Sequence, residues 1–342
     1  MKIIKVRSPF LISINEALQI GSKVELFIYN KSTSEPATPT YTLSKPIAST
    51  TQLENVYNIS NYIREYITAT TPAAVSTPTI ESNINWAICK VKRYKLIGVT
   101  YTLLDTVTYI ALDGFSTNNE VSQTAINTEV LALKNTAQTV QYFNINVPYF
   151  NLVLNRDTVN RYVAKYYNAA GTLFSTQEII SAGSAELFNY KVPLVYQNSV
   201  RAEINLELVS TIATFKTEKI EEYKYAPVVC SFINRYGGWE FLTFFKAKSN
   251  SISVKGTDYK ISGQTKRFNI NGSQTEKLNT GWVNENYSEL ITDLLFSETV
   301  LLNGKSVILK TQGTDLKTSL KDGLINYEID FEYAYNLIND IV

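Results

Sequence analysis

From Leu324 to Tyr335 the chain reads LINYEIDFEYAY. Ile325, Tyr327, Ile329, Phe331 and Tyr333 fall on one side of an extended backbone, and Asn326, Glu328, Asp330 and Glu332 fall on the other. A period of two held this long fits a strand with one buried and one wet face. The pattern recurs in Val24, Leu26 and Ile28 against Glu25, Phe27 and Tyr29. It recurs again in Ile84, Trp86, Ile88 and Lys90 against Asn85, Ala87, Cys89 and Val91, and in Val107, Tyr109 and Ala111. The chain has 23 Tyr and 15 Phe against 14 Gly, a balance that favours pleated, half-buried surfaces. Strand runs at regular spacing, without long helices between them, predict a mainly β protein of two to three antiparallel β-sandwich-like domains.

Two segments carry a helical period instead. In VNENYSELITDLLFSE, Tyr287, Leu290, Ile291, Leu294 and Leu295 form one apolar stripe. This predicts a single packed amphipathic helix near 284–296, capped by Asn284 with Glu285 in its first turn. A shorter helix is expected at 60–67, with Ser60 as its cap.

Composition shifts and Pro-punctuated stretches suggest three units. These are residues 1–120 with the short helix, residues 121–225 as a middle sandwich, and residues 226–342 with the longer helix. Residues 31–46 read as a polar loop or edge, 68–83 as an extended connection, 121–140 as weakly patterned, and the charged run 216–227 as a boundary. Turns are expected at 168–171 (NAAG) and at Asn303–Gly304, the strongest short hairpin signal, because a type I′ turn needs two positive φ angles. NRYGGWEFLTFF (234–245) reads as a turn at Gly237 and Gly238 feeding Trp239 and Phe241 into a core or an interface.

The chain contains no histidine. That removes Ser-His-Asp and Cys-His catalysis and histidine-based zinc, copper or iron sites. Cys89 and Cys230 each sit in apolar runs and read as buried reduced thiols. The loop DGFSTNNE (113–120) lacks the glycine position of a calcium loop. GGW at 237–239 lacks the spacing of a phosphate loop. KVKRYK (90–95) is the densest basic run, but the net charge is only +1, so it reads as a strand face, with no specific nucleic-acid binding expected. No apolar run approaches the ~18 residues of a membrane helix, so no membrane partner is expected. Glu328 and Asp330 share a strand face about 6.8 Å apart, a spacing open to carboxylate hydrolysis, but simple amphipathicity explains all four alternating polar residues. No catalytic, metal or cofactor residue is assigned. The core is assigned to Trp239, Phe241, Trp282, Tyr287, Leu290, Ile291, Leu294, Ile329 and Phe331.

The order of an NRYGGW turn, LNTGWVNENYSELITDLLFSETVLLNGKSVIL and a terminal NYEIDFEYAY resembles structural proteins of tailed bacteriophages infecting Bacteroidota, in the tail, tail-hub or baseplate module. SPFLISI, YTLSK followed by YNISNYIREYI, and YIALDGF are similar to the same group. The resemblance implies a non-enzymatic virion component made in the host bacterial cytoplasm. It would assemble with itself in threefold or sixfold rings or hubs and contact other tail proteins. It carries over no catalytic residue. A head–tail connector (neck) protein is the alternative within the virion. A carbohydrate-binding adhesin that uses surface Tyr and Trp on a host glycan, and a carboxylate-only glycan hydrolase, are the alternatives outside that class.

Overall fold

A computed structural model describes residues 2–30, 33–48, 53–69, 71–73, 79–80, 86–117, 130–133, 139–142, 149–155, 160–181, 187–193, 199–207, 211–220, 224–313 and 324–338. The chain is mainly β, with two helices among those residues. Within the weakly patterned stretch 121–140, residues 121–129 and 134–138 lie outside the described residues. So do Ile84, Asn85 and most of the connection 68–83.

The N-terminal region supplies β1 (Lys2–Lys5), β2 (Leu11–Asn15), β3 (Gly21–Tyr29), β4 (Tyr41–Pro46), β5 (Glu54–Asn58), α1 (Ser60–Arg64), β6 (Thr79–Ile80), β7 (Trp86–Ile97) and β8 (Thr100–Leu112). Five of these form a sheet in the order β1-β8-β7-β3-β4, and β2 pairs with β5. The alternation read from the sequence explains its two faces. Val24, Leu26, Ile28, Cys89 and Val91 pack beneath the β2–β5 ribbon and α1, against Ile12, Ile14, Tyr57 and Ile63. On the opposite face Ile3, Trp86, Ile88, Ile110 and Leu112 are buried with Tyr236 from the C-terminal region. The polar stretch 31–46 ends in β4, the sheet's edge strand.

Helix α1 is shorter than expected, and Ser60 is its first residue rather than its cap. The Ser60 hydroxyl donates to the Ser8 carbonyl at 2.7 Å and accepts from the Phe10 N–H at 2.7 Å. Those buried backbone groups between β1 and β2 need partners, and a serine side chain supplies both at once.

The middle region supplies β9 (Val130–Leu133), β10 (Thr139–Tyr142), β11 (Tyr149–Asn155), β12 (Asn160–Tyr167), β13 (Leu173–Ser181), β14 (Leu187–Pro193), β15 (Arg201–Glu207) and β16 (Thr211–Lys219). They form a sheet β10-β16-β15-β12-β13 and a sheet β6-β14-β11-β9, so β6 from the first connection adds an edge to the middle region. Phe150 of β11 stacks on Phe215 of β16 with centroids 4.6 Å apart, joining the two sheets face to face. The NAAG turn forms as read: Gly171 takes φ +75°, and the Asn168 side chain accepts from the Thr172 N–H at 2.9 Å. The antiparallel sandwich-like sheets expected from the sequence are present, with a parallel pairing at two edges, where β1 runs parallel to β8 and β10 parallel to β16. In both pairs the partners are far apart in sequence, so no hairpin dictates their direction.

The C-terminal region supplies β17 (Val228–Ile233), β18 (Trp239–Phe244), β19 (Ser249–Ile261), β20 (Gln264–Asn284), α2 (Tyr287–Leu295), β21 (Val300–Leu302), β22 (Lys305–Leu309) and β23 (Leu324–Tyr333). The sheet order is β18-β17-β21-β22-β23-β20-β19. Leu290, Ile291 and Leu294 of α2 pack into a core with Val228, Cys230, Phe232, Ile329 and Phe331, and Tyr287 lies half-buried at its margin. Asn303 and Gly304 take φ +47° and +80°, the two positive angles that their turn demands.

Two expectations fail here. Asn284 does not cap α2; it ends β20, where it pairs with Leu324, so the helix starts later, with Asn286 at the cap position and Glu289 in the first turn. Trp282, expected in the core, is 72% exposed. Leu278 pairs with Ile329 and Val283 with Ile325, and both pack toward the same core, Val283 partly buried, although they are of opposite parity. The register slips between Asn279 and Trp282, where Gly281 takes φ +69°. This bulge turns Trp282 outward.

Candidate functional site

The turn between β17 and β18 is built by Asn234, whose side chain is fully buried. Its Oδ1 accepts from the N–H groups of Tyr236 at 3.0 Å and Gly238 at 3.1 Å, and its Nδ2 donates to Glu240 at 2.9 Å. Of the two glycines, Gly237 takes the positive φ, at +81°.

From this turn contacts run in three directions. The Phe115 N–H donates to the Arg235 carbonyl at 2.9 Å, and Gly114 lies against the turn so closely that a Cβ there would stand 2.5 Å from that same oxygen. Arg235 donates through Nε to Asp293 of α2 at 2.5 Å. The Trp239 N–H donates to Asn151 of β11 at 3.3 Å, and its indole packs with Tyr149, Phe241 and Leu301. The segment therefore fastens the N-terminal, middle and C-terminal regions together. Burial pushes the Asp293 carboxyl above its ordinary range, and the Arg235 guanidinium works against that rise. Beside the turn, Arg64 pairs with Glu298 and lies 3.8 Å from Asp113, and Arg7 lies 3.5 Å from Glu298.

The remaining polar candidates are engaged in pairs. Glu328 and Asp330 share one partner, Lys277, at 3.7 and 3.8 Å. In the 90–95 run, Lys90 pairs with Glu35, Arg93 with Asp105 and Lys95 with Glu16, and Lys92 lies over the Phe27 ring. Cys89 and Cys230 are buried free thiols; burial pushes the first up to about 12 and raises the second as well. Among the described residues no cluster of three or more acidic or sulfur ligands could hold a metal, and no helix is long and apolar enough to cross a membrane.

What the sequence reading missed is an arm. Strand β19 and the first part of β20 form a hairpin that projects past the rest of the sheet, because β23 pairs with β20 only from Thr275 onward. All 13 residues of β19 and the first seven of β20 are exposed. At ~3.4 Å per residue the arm reaches roughly 40 Å. Ser262 and Gly263 close its tip at φ +51° and +77°. Ile252, Val254, Tyr259, Ile261, Phe268 and Ile270 stand exposed along it. A bulge near Gly256 bends the pairing midway, and an exposed Asp258–Arg267 pair and a Tyr259–Phe268 edge contact hold the outer half. Near its base Asn271 and Gly272 bond to the backbone of Leu337 and Ile338. The alternation of Ile252 and Val254 was the available signal, but a period of two does not tell a buried face from one awaiting a partner.

No protein-family model matches the chain, and no curated protein matches its sequence significantly.

Proposed function

We propose that this chain is a non-enzymatic structural protein that works by self-assembly, of the tail or baseplate kind that its C-terminal region resembles, acting in the virion through a ring or hub and contacts with neighbouring tail proteins. The exposed arm of residues 249–274 carries this reading. An isolated two-stranded ribbon is marginal in water, and a long exposed edge that carries apolar side chains is a liability in a free monomer. Its cost is offset when another chain pairs with the edge or covers the exposed side chains. Lys255, Lys260 and Lys266 guard the arm against indiscriminate pairing. The test is the oligomeric state of the full chain by mass photometry, beside a variant with Ile252, Val254, Phe268 and Ile270 changed to Ser. A closed oligomer that the variant loses without a change in melting temperature is the expected outcome. A wild-type chain that stays monomeric at high concentration would sink the assembly reading.

A further inference from the structure

The bulge that exposes Trp282 also builds a cleft. Trp282, Val283 and Asn284 form one wall, Phe245 and Lys246 a second, and Gln141 and Glu218 of the middle region a third, with Tyr287 at the start of α2. The cleft is open on one side and its volume is about 390 Å³, at the lower end of the ~300–1,000 Å³ typical of small-ligand sites. The bulge is held rigidly. The Gly281 N–H donates to Asn279 Oδ1 at 2.5 Å, and the buried Thr280 hydroxyl oxygen accepts from the Tyr327 N–H at 3.1 Å. The Lys246 side chain lies over Gly281 so closely that a Cβ there would meet it at 2.6 Å. Among the three tryptophans, Trp86 and Trp239 are fully buried, and Trp282 alone presents its ring to solvent.

We propose that this cleft binds a neutral carbohydrate, with a pyranose ring stacked on Trp282. The chemistry of the walls selects this class. Trp282 and Tyr287 offer flat apolar surface beside Val283, the Lys246 ammonium lies over the Phe245 ring, and Gln141 and Asn284 place amides at the rim. A wholly apolar ligand would cover those amides without pairing them, at about 1–3 kcal/mol for each group left unsatisfied. A phosphate-bearing ligand would need an excess of cations, yet the lining holds one cation, Lys246, and one anion, Glu218. A sugar carries an apolar face and a rim of hydroxyls that both donate and accept, which matches both parts of the wall.

The experiment uses the full chain and its own tryptophan emission. Cellohexaose, maltohexaose and mannohexaose are titrated separately to millimolar concentration. Because Trp86 and Trp239 are buried, a saturable change reports Trp282. At least one of the three is expected to give such a change, and Trp282→Ala to lose it while circular dichroism and oligomeric state stay unchanged. No response to any of the three overturns the assignment, and a response that survives in Trp282→Ala removes it from this cleft. If no sugar binds and Trp282→Ala disrupts the oligomer, the cleft is a contact between subunits, which also overturns the proposal and leaves the assembly reading intact.

Discussion

A Cβ added to Gly237 would stand 2.9 Å from the backbone nitrogen of Asp113 and 3.1 Å from that of Gly114. Two segments more than 120 positions apart in sequence thus approach backbone to backbone, and Gly237 also holds φ +81°. Gly237→Ala carries both a left-handed cost of ~1–2 kcal/mol and a clash that the Asp113 backbone cannot relieve by changing rotamer. The expected loss is about 3 kcal/mol or more in chemical denaturation. Gly304→Ala is the control: φ is +80°, but nothing lies within 4 Å of the added methyl, so only about 1–2 kcal/mol should be lost. Equal losses in the two variants would show that the close approach has no energetic weight.

This pair marks how far the sequence could be read. The letters of NRYGGW announce a turn, because adjacent glycines after a polar run leave little else. They do not say which glycine bears the positive φ, nor that Gly114 will lie against the turn, since that contact depends on how separate sheets pack. Period-two segments such as Ile325 to Phe331 were legible because each residue's face follows from its neighbours. Trp282 was misread because Gly281 inserts a bulge and every residue beyond it changes face; a glycine before an aromatic in a strand was the available warning. The projection of the arm is not legible for a related reason. Pattern reports the local conformation and does not report whether a third strand covers it.

Arg235 and Asp293 make a pH-dependent prediction. Asp293 is almost fully buried, and its carboxyl already lies above the ordinary range. Arg235→Leu removes the cation that opposes this rise, so the folded-state pKa climbs further. A raised carboxyl pKa means that the folded chain holds its proton more tightly than the unfolded chain. The associated stability is full below the unfolded value of about 3.9 and is lost as pH rises through the folded value. The variant's deficit should therefore be largest near pH 7, on the order of 3 kcal/mol for an uncompensated buried charge, and should shrink as pH falls toward 4. Urea melts of both proteins across that range measure it. A deficit that is flat with pH would mean that Arg235 acts by packing alone.

Asn303 does more than permit its turn. Its Oδ1 accepts from the Val229 N–H at 2.9 Å, and its own N–H donates to the Val229 carbonyl at 2.8 Å, so the β21–β22 turn is fastened to β17. Asn303→Ala keeps the second bond, leaves the Val229 N–H without its acceptor and puts an alanine at φ +47°. The unsatisfied N–H costs about 1–3 kcal/mol, and the φ angle adds ~1 kcal/mol, because Asn is among the few residues that visit this region readily. Asn303→Asp retains both an acceptor and a tolerance for positive φ. It should recover most of the loss, because a single side-chain oxygen meets the Val229 N–H in either residue. Thermal melts of the two variants, with amide hydrogen exchange at Val229, separate these contributions. The alanine variant should speed exchange at Val229 and the aspartate variant should not. Equal exchange rates in both would mean that the turn holds β17 through its backbone alone.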